Sequence, residues 1–355
     1  MFTRRDFLAS SAALLGAAAV ARADRDDQLP DGSASRGMIT REAEAAIDKG
    51  LTYLANRRHR DGSFGTNQYT GNVAVTSLAA LAFMAGGHQP GRGAYGRVVT
   101  EAIKFVLDQE DAGRPGYLNN ARATPHGPMY GHGFGALLLG EAYGMVHDKD
   151  LRPRVRDVLR RAVNLIVRSQ NIEGGWRYTP VSRDADISVT ICQIMALRSA
   201  KNAGLAVPKA TVDRCVKYVQ RCQNGDGSFR YQAQVPFGGA QAFARTAAGV
   251  CALYAAGIYK GDSVDKGLKY LMNHKPNNQF RHDMHYFYGH YYAVQAMWTA
   301  GGDYWKEWFP AIRDELAARQ QADGSWADPI CRHYGTAMAC IILQVPNNYL
   351  PILQK

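Results

Sequence analysis

Residues 170–176 read QNIEGGW, residues 223–229 read QNGDGSF and residues 320–326 read QQADGSW. Each has a glutamine, a glycine four residues on, and an aromatic two beyond that. RHRDGSF at 58–64 keeps the spacing with arginine in the glutamine place. The end of the phrase recurs more widely, as DGSFG from 61, GRPGY from 113, EGGWR from 173, DGSFR from 226, NNQFR from 277 and DGSWA from 323. Self-similarity at a period of roughly 50 residues marks a chain built from stacked supersecondary units, so the repeat decides the fold.

The flanks of the phrase differ in kind. Before it lie amphipathic segments. In VRDVLRRAVNLIVRSQ (155–170), Val155, Val158, Leu159, Val163, Leu165 and Ile166 recur near the 3.6-residue period with arginines between them. After it lie segments rich in Ala, Gly and Leu, such as VAVTSLAALAFMAGG from 73 and FARTAAGVCALYAAG from 243. A helix apolar around most of its circumference must be covered on most sides. Six units of amphipathic helix, turn and apolar helix therefore predict two layers, charged helices outside and apolar ones inside. An open array would end in polar capping repeats, whereas the last unit stays apolar through Ile341, Ile342 and Leu343. The pattern predicts an all-α, single (α/α)6 toroid over 38–355, with an open helical solenoid as the alternative.

With its glutamines in register, the phrase resembles the Gln-Trp repeat of squalene and oxidosqualene cyclases, shared in weaker form with the β subunits of protein prenyltransferases. Lys49-Gly50 with Tyr53-Leu54, echoed by Lys266-Gly267 with Tyr270-Leu271, belongs to the same resemblance, which spans about 45–345. It implies an α/α toroid. The repeat residues themselves read as structural. A Gln amide at a helix end can satisfy orphan carbonyls, the glycine permits a tight turn, and the aromatic packs on the neighbouring repeat.

Aligning the six apolar helices gives two columns near their starts. One reads Thr76, His132, Thr190, Thr246, His290, Thr336; two positions earlier stand Ala74, Tyr130, Ser188, Ala244, Tyr288, Tyr334. Polar groups at matching depth suggest a polar rim on an apolar hole, or threonines that only cap or back-bond to their own helices. The histidines need partners if buried, which the tyrosines can supply. Asp184-Ala185-Asp186 occupies the same end of the third inner helix. In squalene-hopene cyclases an Asp-x-Asp-Asp-Thr-Ala motif donates the initiating proton from its middle aspartate, and Asp186 matches that position. Ile187 replaces the third aspartate and Ser188-Val189 replaces Thr-Ala, so the resemblance implies at most a milder general acid. The alternative is a helix cap. Arg245, beside Thr246, is a cation for a phosphate or carboxylate, or an ion-pair partner for Asp186. Phe134, Tyr143, Tyr254, Tyr291, Tyr292 and Trp298 are candidates to line the hole. Prenyltransferases hold zinc through an Asp-x-Cys pair; none occurs here, so the zinc is not carried over. His282-Asp283-x-His285, with His290 beyond, has ligand residue types, but no metal and no cofactor is expected.

The N-terminus carries Arg4-Arg5, then Phe7-Leu8, a short apolar run and Ala21-Arg22-Ala23. It resembles a twin-arginine export signal over 1–23, followed by a polar leader over 24–37. The apolar run is too short for a transmembrane span. Export of a chain folded in the cytoplasm makes the six cysteines buried thiols. The net charge of +11 is scattered without a basic block, which gives no support to nucleic-acid binding. The leading expectation is an exported, periplasmic toroid whose cavity binds or transforms an isoprenoid or other apolar ligand. Asp186 would be its acid, with His132, His290, Tyr130, Tyr288 and Tyr334 orienting. Alternatives are a polysaccharide lyase or hydrolase, and a non-catalytic ligand- or protein-binding toroid.

Overall fold

The computed structural model describes residues 35–235, 242–276 and 285–354. Among these residues twelve α-helices follow one another: α1 Arg41–Arg57, α2 Val73–Ala85, α3 Gly96–Asp108, α4 Pro128–Tyr143, α5 Leu151–Ser169, α6 Ile187–Asn202, α7 Lys209–Arg221, α8 Ala242–Ala255, α9 Asp262–Met272, α10 Tyr286–Ala300, α11 Gly302–Arg319 and α12 Arg332–Gln344. Each even-numbered helix packs against the next even-numbered one, and α12 packs back on α2. The inner ring is closed, which excludes the open solenoid. The odd-numbered helices form the outer layer. On α5 the apolar set read from the sequence is buried, while Arg152, Arg154, Arg156 and Arg160 point outward. On α2 every residue but Ala74 is buried.

Local chemistry starts the helices where the pattern puts them. Thr40 caps α1 by accepting from Ala43 N at 3.2 Å, and Asn72 caps α2 by accepting from Val75 N at 3.1 Å. Pro128 opens α4.

The repeated phrase joins each outer helix to the next. Gln170 Nε2 donates to Gly174 O (2.8 Å) in its own turn and to Thr211 O (2.9 Å) on α7. Gln223 does the same to Gly227 O and to Ser263 O on α9, at 3.2 and 2.8 Å. Gln320 closes the circle, to Gly324 O and to Ala46 O on α1, at 3.0 and 2.8 Å. The amide thus satisfies a carbonyl of the neighbouring helix rather than the orphan carbonyls of its own. Trp176 and Trp326 turn inward and donate their indole N–H to Ile166 O and Leu316 O, both at 2.8 Å.

The phrase requires its glycine, as two of the repeats illustrate. Gly227 has φ +89° and Gly324 φ +86°. A Cβ on either would meet the carbonyl oxygen of the adjoining outer helix, Lys266 O at 2.3 Å and Lys49 O at 2.7 Å. Gly227→Ala combines positive φ with a backbone clash, so it should lower the unfolding free energy by about 3 kcal/mol. Urea unfolding tests this, and a loss under about 1 kcal/mol would contradict the role given to the turn.

All six cysteines are free and buried. Among the described residues no helix is long and apolar enough to cross a membrane. Residues 1–34, with the proposed signal and most of the leader, lie outside the described residues.

Candidate functional site

The Thr/His column does not rim a hole. Five of its six members accept a hydrogen bond from the backbone of their own turn phrase. Thr76 Oγ1 accepts from Phe64 N (3.0 Å), Thr190 from Trp176 N (3.1 Å), Thr246 from Phe229 N (3.1 Å) and Thr336 from Trp326 N (3.0 Å). His132 Nδ1 plays the same part for Leu118 N at 3.2 Å. His132 is fully buried, and burial pushes its imidazole down to about 4. In this contact it acts as a larger threonine, pinning turn to inner helix. His290 holds the same place in the fifth repeat. It packs against Tyr286, Phe243 and Trp308, with ring centroids 4.5, 4.9 and 6.0 Å away, and burial pushes it down to about 3. Its imidazole is thus neutral and packed among aromatic rings.

Of the earlier column four positions are partly exposed, and Ala244 and Tyr334 are buried. In the first turns of α2, α4, α6 and α10 the positions that are not buried include Ala74, Tyr130, Ser188 and Tyr288, while their neighbours along each helix are buried. Tyr334, buried on α12, completes the set. This partly exposed level at the N-terminal ends of the inner helices is the hollow of the ring. One helical turn deeper stand Phe134, Cys192, Tyr291 and Tyr292, all buried. Phe134 meets Tyr291 at 6.1 Å, Tyr291 meets Tyr292 at 4.8 Å, and the Tyr292 hydroxyl lies 3.3 Å from Cys192 Sγ. These side chains floor the hollow. Burial holds the Tyr130, Tyr288 and Tyr334 phenols well above their ordinary range, so all three stay protonated. Tyr288 donates to Ser188 O at 2.9 Å. Among the described residues Tyr130 and Tyr334 hydroxyls have no hydrogen-bond partner and remain available as donors.

Asp186 lies beside the hollow but under its wall. It is the N-cap of α6, Oδ1 accepting from Val189 N at 2.8 Å, and its Oδ2 accepts from Arg177 Nη1 at 2.7 Å. Its backbone bridges to Trp176 (Asp186 N to Trp176 O, 3.0 Å), which folds the 177–185 loop back over the turn. Burial pushes its carboxyl above the usual range, and the Val189 amide and Arg177 oppose that. The side chain has no exposed surface. Asp186 is thus the cap of α6 and the ion-pair partner of Arg177, and its charge bears on Tyr130 and Tyr288. Asp184 shares the same arginine (3.2 Å) and accepts from Ser182 Oγ and Gln232 Nε2 at 2.9 and 2.8 Å. Against the effect of burial, these groups hold its carboxyl below the ordinary value. It stabilises the loop and is no acid at neutral pH.

Arg177 escaped the sequence reading, although it directly follows Trp176. It also donates to the Tyr231 hydroxyl at 2.7 Å and stacks over Tyr178 at 4.2 Å. The pairing of Asp186 with Arg245 is thereby corrected. Arg245 is half-buried near Tyr270 and Tyr231 instead, and burial lowers its guanidinium. Trp298 is not in the hollow at all. It lies at the far end of α10 and donates to Leu353 O at 3.1 Å. There Ile352 N donates to Glu141 Oε2 at 2.9 Å, so the C-terminal segment closes the opposite face. Of the His282-Asp283-x-His285 cluster, His282 and Asp283 lie outside the described residues. Among the described ones no group of three or more His, Cys, Asp or Glu is placed to hold a metal.

Residues 100–282, just over half of the chain, match the family model of the prenyltransferase alpha-alpha toroid domain. No curated protein was found to match the chain. Among solved structures the fold is similar to a type II terpene cyclase from Scytonema in complex with geranylgeranyl dihydroxybenzoate, at 13% identity and TM-score 0.58, covering 87% of this chain and 98% of that one. It is also similar to an alpha-1,6-mannanase of Salegentibacter in complex with alpha-1,6-mannotriose, at 8% identity and TM-score 0.61, covering 86% and 99%. A cellobiose 2-epimerase from Bacillus thermoamylovorans matches at 12% identity and TM-score 0.61, over 86% and 99%. At these identities the likeness concerns the fold.

Proposed function

The chain belongs to the prenyltransferase alpha-alpha toroid family, and from that premise we propose that its central hollow binds an isoprenoid or similar apolar ligand across the N-terminal ends of the inner helices. The observation that carries the reading is the shared exposure of Ala74, Tyr130, Ser188 and Tyr288 above a closed aromatic floor. Tyrosine faces offer an apolar surface, and their neutral hydroxyls can meet an oxygen at the ligand's end. The floor sets a limit: with Tyr291 and Tyr292 one turn down, only one end of a long chain enters.

The free Tyr130 and Tyr334 hydroxyls also suit a sugar, and the mannanase and epimerase likenesses favour that second reading. Calorimetric titration of the purified chain with farnesol and with mannotriose separates the two. We expect farnesol to bind, and Tyr288→Ala or Tyr130→Ala to weaken it by about tenfold, the loss of one well-packed aromatic contact. Mannotriose binding with no farnesol binding would sink the isoprenoid reading. Export is part of the proposal and rests on the Arg4-Arg5 segment; fractionation of cells expressing the chain with Arg4→Lys and Arg5→Lys should show it retained inside.

A further inference from the structure

If Asp186 is a cap, the hollow needs another group for polar chemistry, and a second carboxyl, Asp328, bears on Tyr334. Asp328 follows the turn aromatic Trp326 by two residues and precedes α12. It is half-buried, its Oδ1 accepts from Ile330 N at 2.8 Å, and among the described residues it has no ion pair. Gly335 makes its position accessible. A Cβ there would stand 3.1 Å from Asp328 Cβ and 3.3 Å from Phe287 Cε2, so the missing side chain lets Asp328 lie against α12 next to Tyr334. The titratable groups that face it are Tyr69, Cys331 and Tyr334. Arg332, the nearest cation in sequence, is turned to Asp323 at 3.0 Å. Among the described residues no cation holds Asp328 ionised, and burial pushes it up to about 6 despite the Ile330 amide.

We propose that Asp328 is the acid of the hollow, donating its carboxyl hydrogen to an oxygen on the ligand, so that the favoured ligands are isoprenoid alcohols, ethers or carbonyl compounds rather than hydrocarbons. The inference rests on the reading of the hollow given above. Among the described residues Asp328 Oδ2 takes part in no hydrogen bond or ion pair, and the charge of the carboxyl bears on Tyr334, so Asp328 when protonated adds a second donor on that side. The sign follows. Binding of an oxygen-bearing ligand strengthens as pH falls through about 6 and is lost as pH rises above it.

The test pairs farnesol with farnesene, the same body without the oxygen, titrated into the full chain at pH 5 and pH 8. Farnesol should bind about tenfold more tightly at pH 5, one neutral hydrogen bond's worth, and farnesene equally at both. Asp328→Asn keeps a donor but cannot ionise, so it should bind farnesol independently of pH. Asp328→Leu should lose the preference for farnesol over farnesene. Carboxyl carbon NMR provides a readout that needs no ligand: the aspartate signal missing in Asp328→Asn should titrate near 6. A wild-type farnesol affinity that ignores pH, an Asp328→Asn protein that keeps the pH dependence, or a signal that titrates near 4 would each overturn the assignment and leave the hollow standing. Failure of both probes to bind wild type at either pH overturns the hollow and the assignment together.

Discussion

Between pH 6 and 5 the unfolding free energy should fall by about 1.4 kcal/mol, and in Glu141→Gln it should fall about twice as steeply. The cause is a count of protons. Burial pushes His132 to about 4, His290 to about 3 and His333 to about 4, the last with help from His59 and Arg57. Each folded-state value lies below the ordinary 6.5. Their stabilising contribution is therefore complete above 6.5 and is lost as pH falls toward the folded values. At pH 5.5 the unfolded chain binds nearly three protons on these side chains and the folded chain almost none. Two buried acids run the other way. Burial pushes Glu141 up to about 7 against hydrogen bonds from Ser199 and Ile352 N, and Asp328 to about 6. Folded, they hold protons at pH 5.5 that their unfolded forms have released, so their contribution is present at low pH and lost as pH rises through 6 to 7. For these five groups three against two leaves about one net proton, which is the slope stated, while His88, pushed down by burial, and Asp186, pushed up by it, act in opposite senses.

Glutamine at 141 removes one opposing term without disturbing the site. In its protonated form Glu141 can donate to the Ser199 hydroxyl, 2.6 Å away, while Ser199 donates to Leu137 O at 3.3 Å. A glutamine Nε2 does the same, and its Oε1 still accepts from Ile352 N. Urea unfolding at closely spaced pH values measures both slopes. Equal slopes in the two proteins would show that Glu141 is ionised in the native state at pH 6.

The ring was legible in the sequence because its determinants are local and repeated. A glutamine that must bridge to the next helix, a glycine at positive φ and an inward tryptophan each demand a residue type, and the demand recurs with every unit. The columns were legible only as columns. Thr76, His132, Thr190, Thr246 and Thr336 share a spacing, yet spacing alone does not tell whether a hydroxyl faces the axis or the turn behind it. The hydrogen bonds from Phe64, Leu118, Trp176, Phe229 and Trp326 decide that. The side chains two positions earlier then have to face the other way, since two residues turn a helix by about half a circle. Arg177 and Asp328 were missed for a different reason. Arg177 and Arg230 both follow a turn aromatic, but Arg177 reaches Asp186 while Arg230 donates to Arg221 O. Sequence position equates them, and only the route of the loop separates them. Asp328 looks like an ordinary turn residue until Gly335 is seen to make room for it.

Asp186→Ala should cost about 3 kcal/mol of stability or more, and Asp186→Asn clearly less. Alanine removes the cap on Val189 N, worth about 1 kcal/mol, and leaves the Arg177 guanidinium, a side chain only 20% exposed, without its buried partner. Asparagine caps as well as aspartate does, so it gives up only the charge. A general acid predicts another order: there Asp186→Asn would fold like wild type and lose function as completely as alanine does. The decisive protein is the double variant Arg177→Leu with Asp186→Asn. If the pair exists to satisfy itself, removing the arginine as well should recover part of the loss, because no buried charge is left alone. The recovery will be incomplete, since Arg177 also holds Asp184 at 3.2 Å and the Tyr231 hydroxyl at 2.7 Å, and through them the loop that ends at the hollow. A double-mutant cycle in urea gives the coupling directly. A coupling near zero would mean that the two side chains stabilise the loop independently, and the protonation state of Asp186 would then no longer be tied to Arg177.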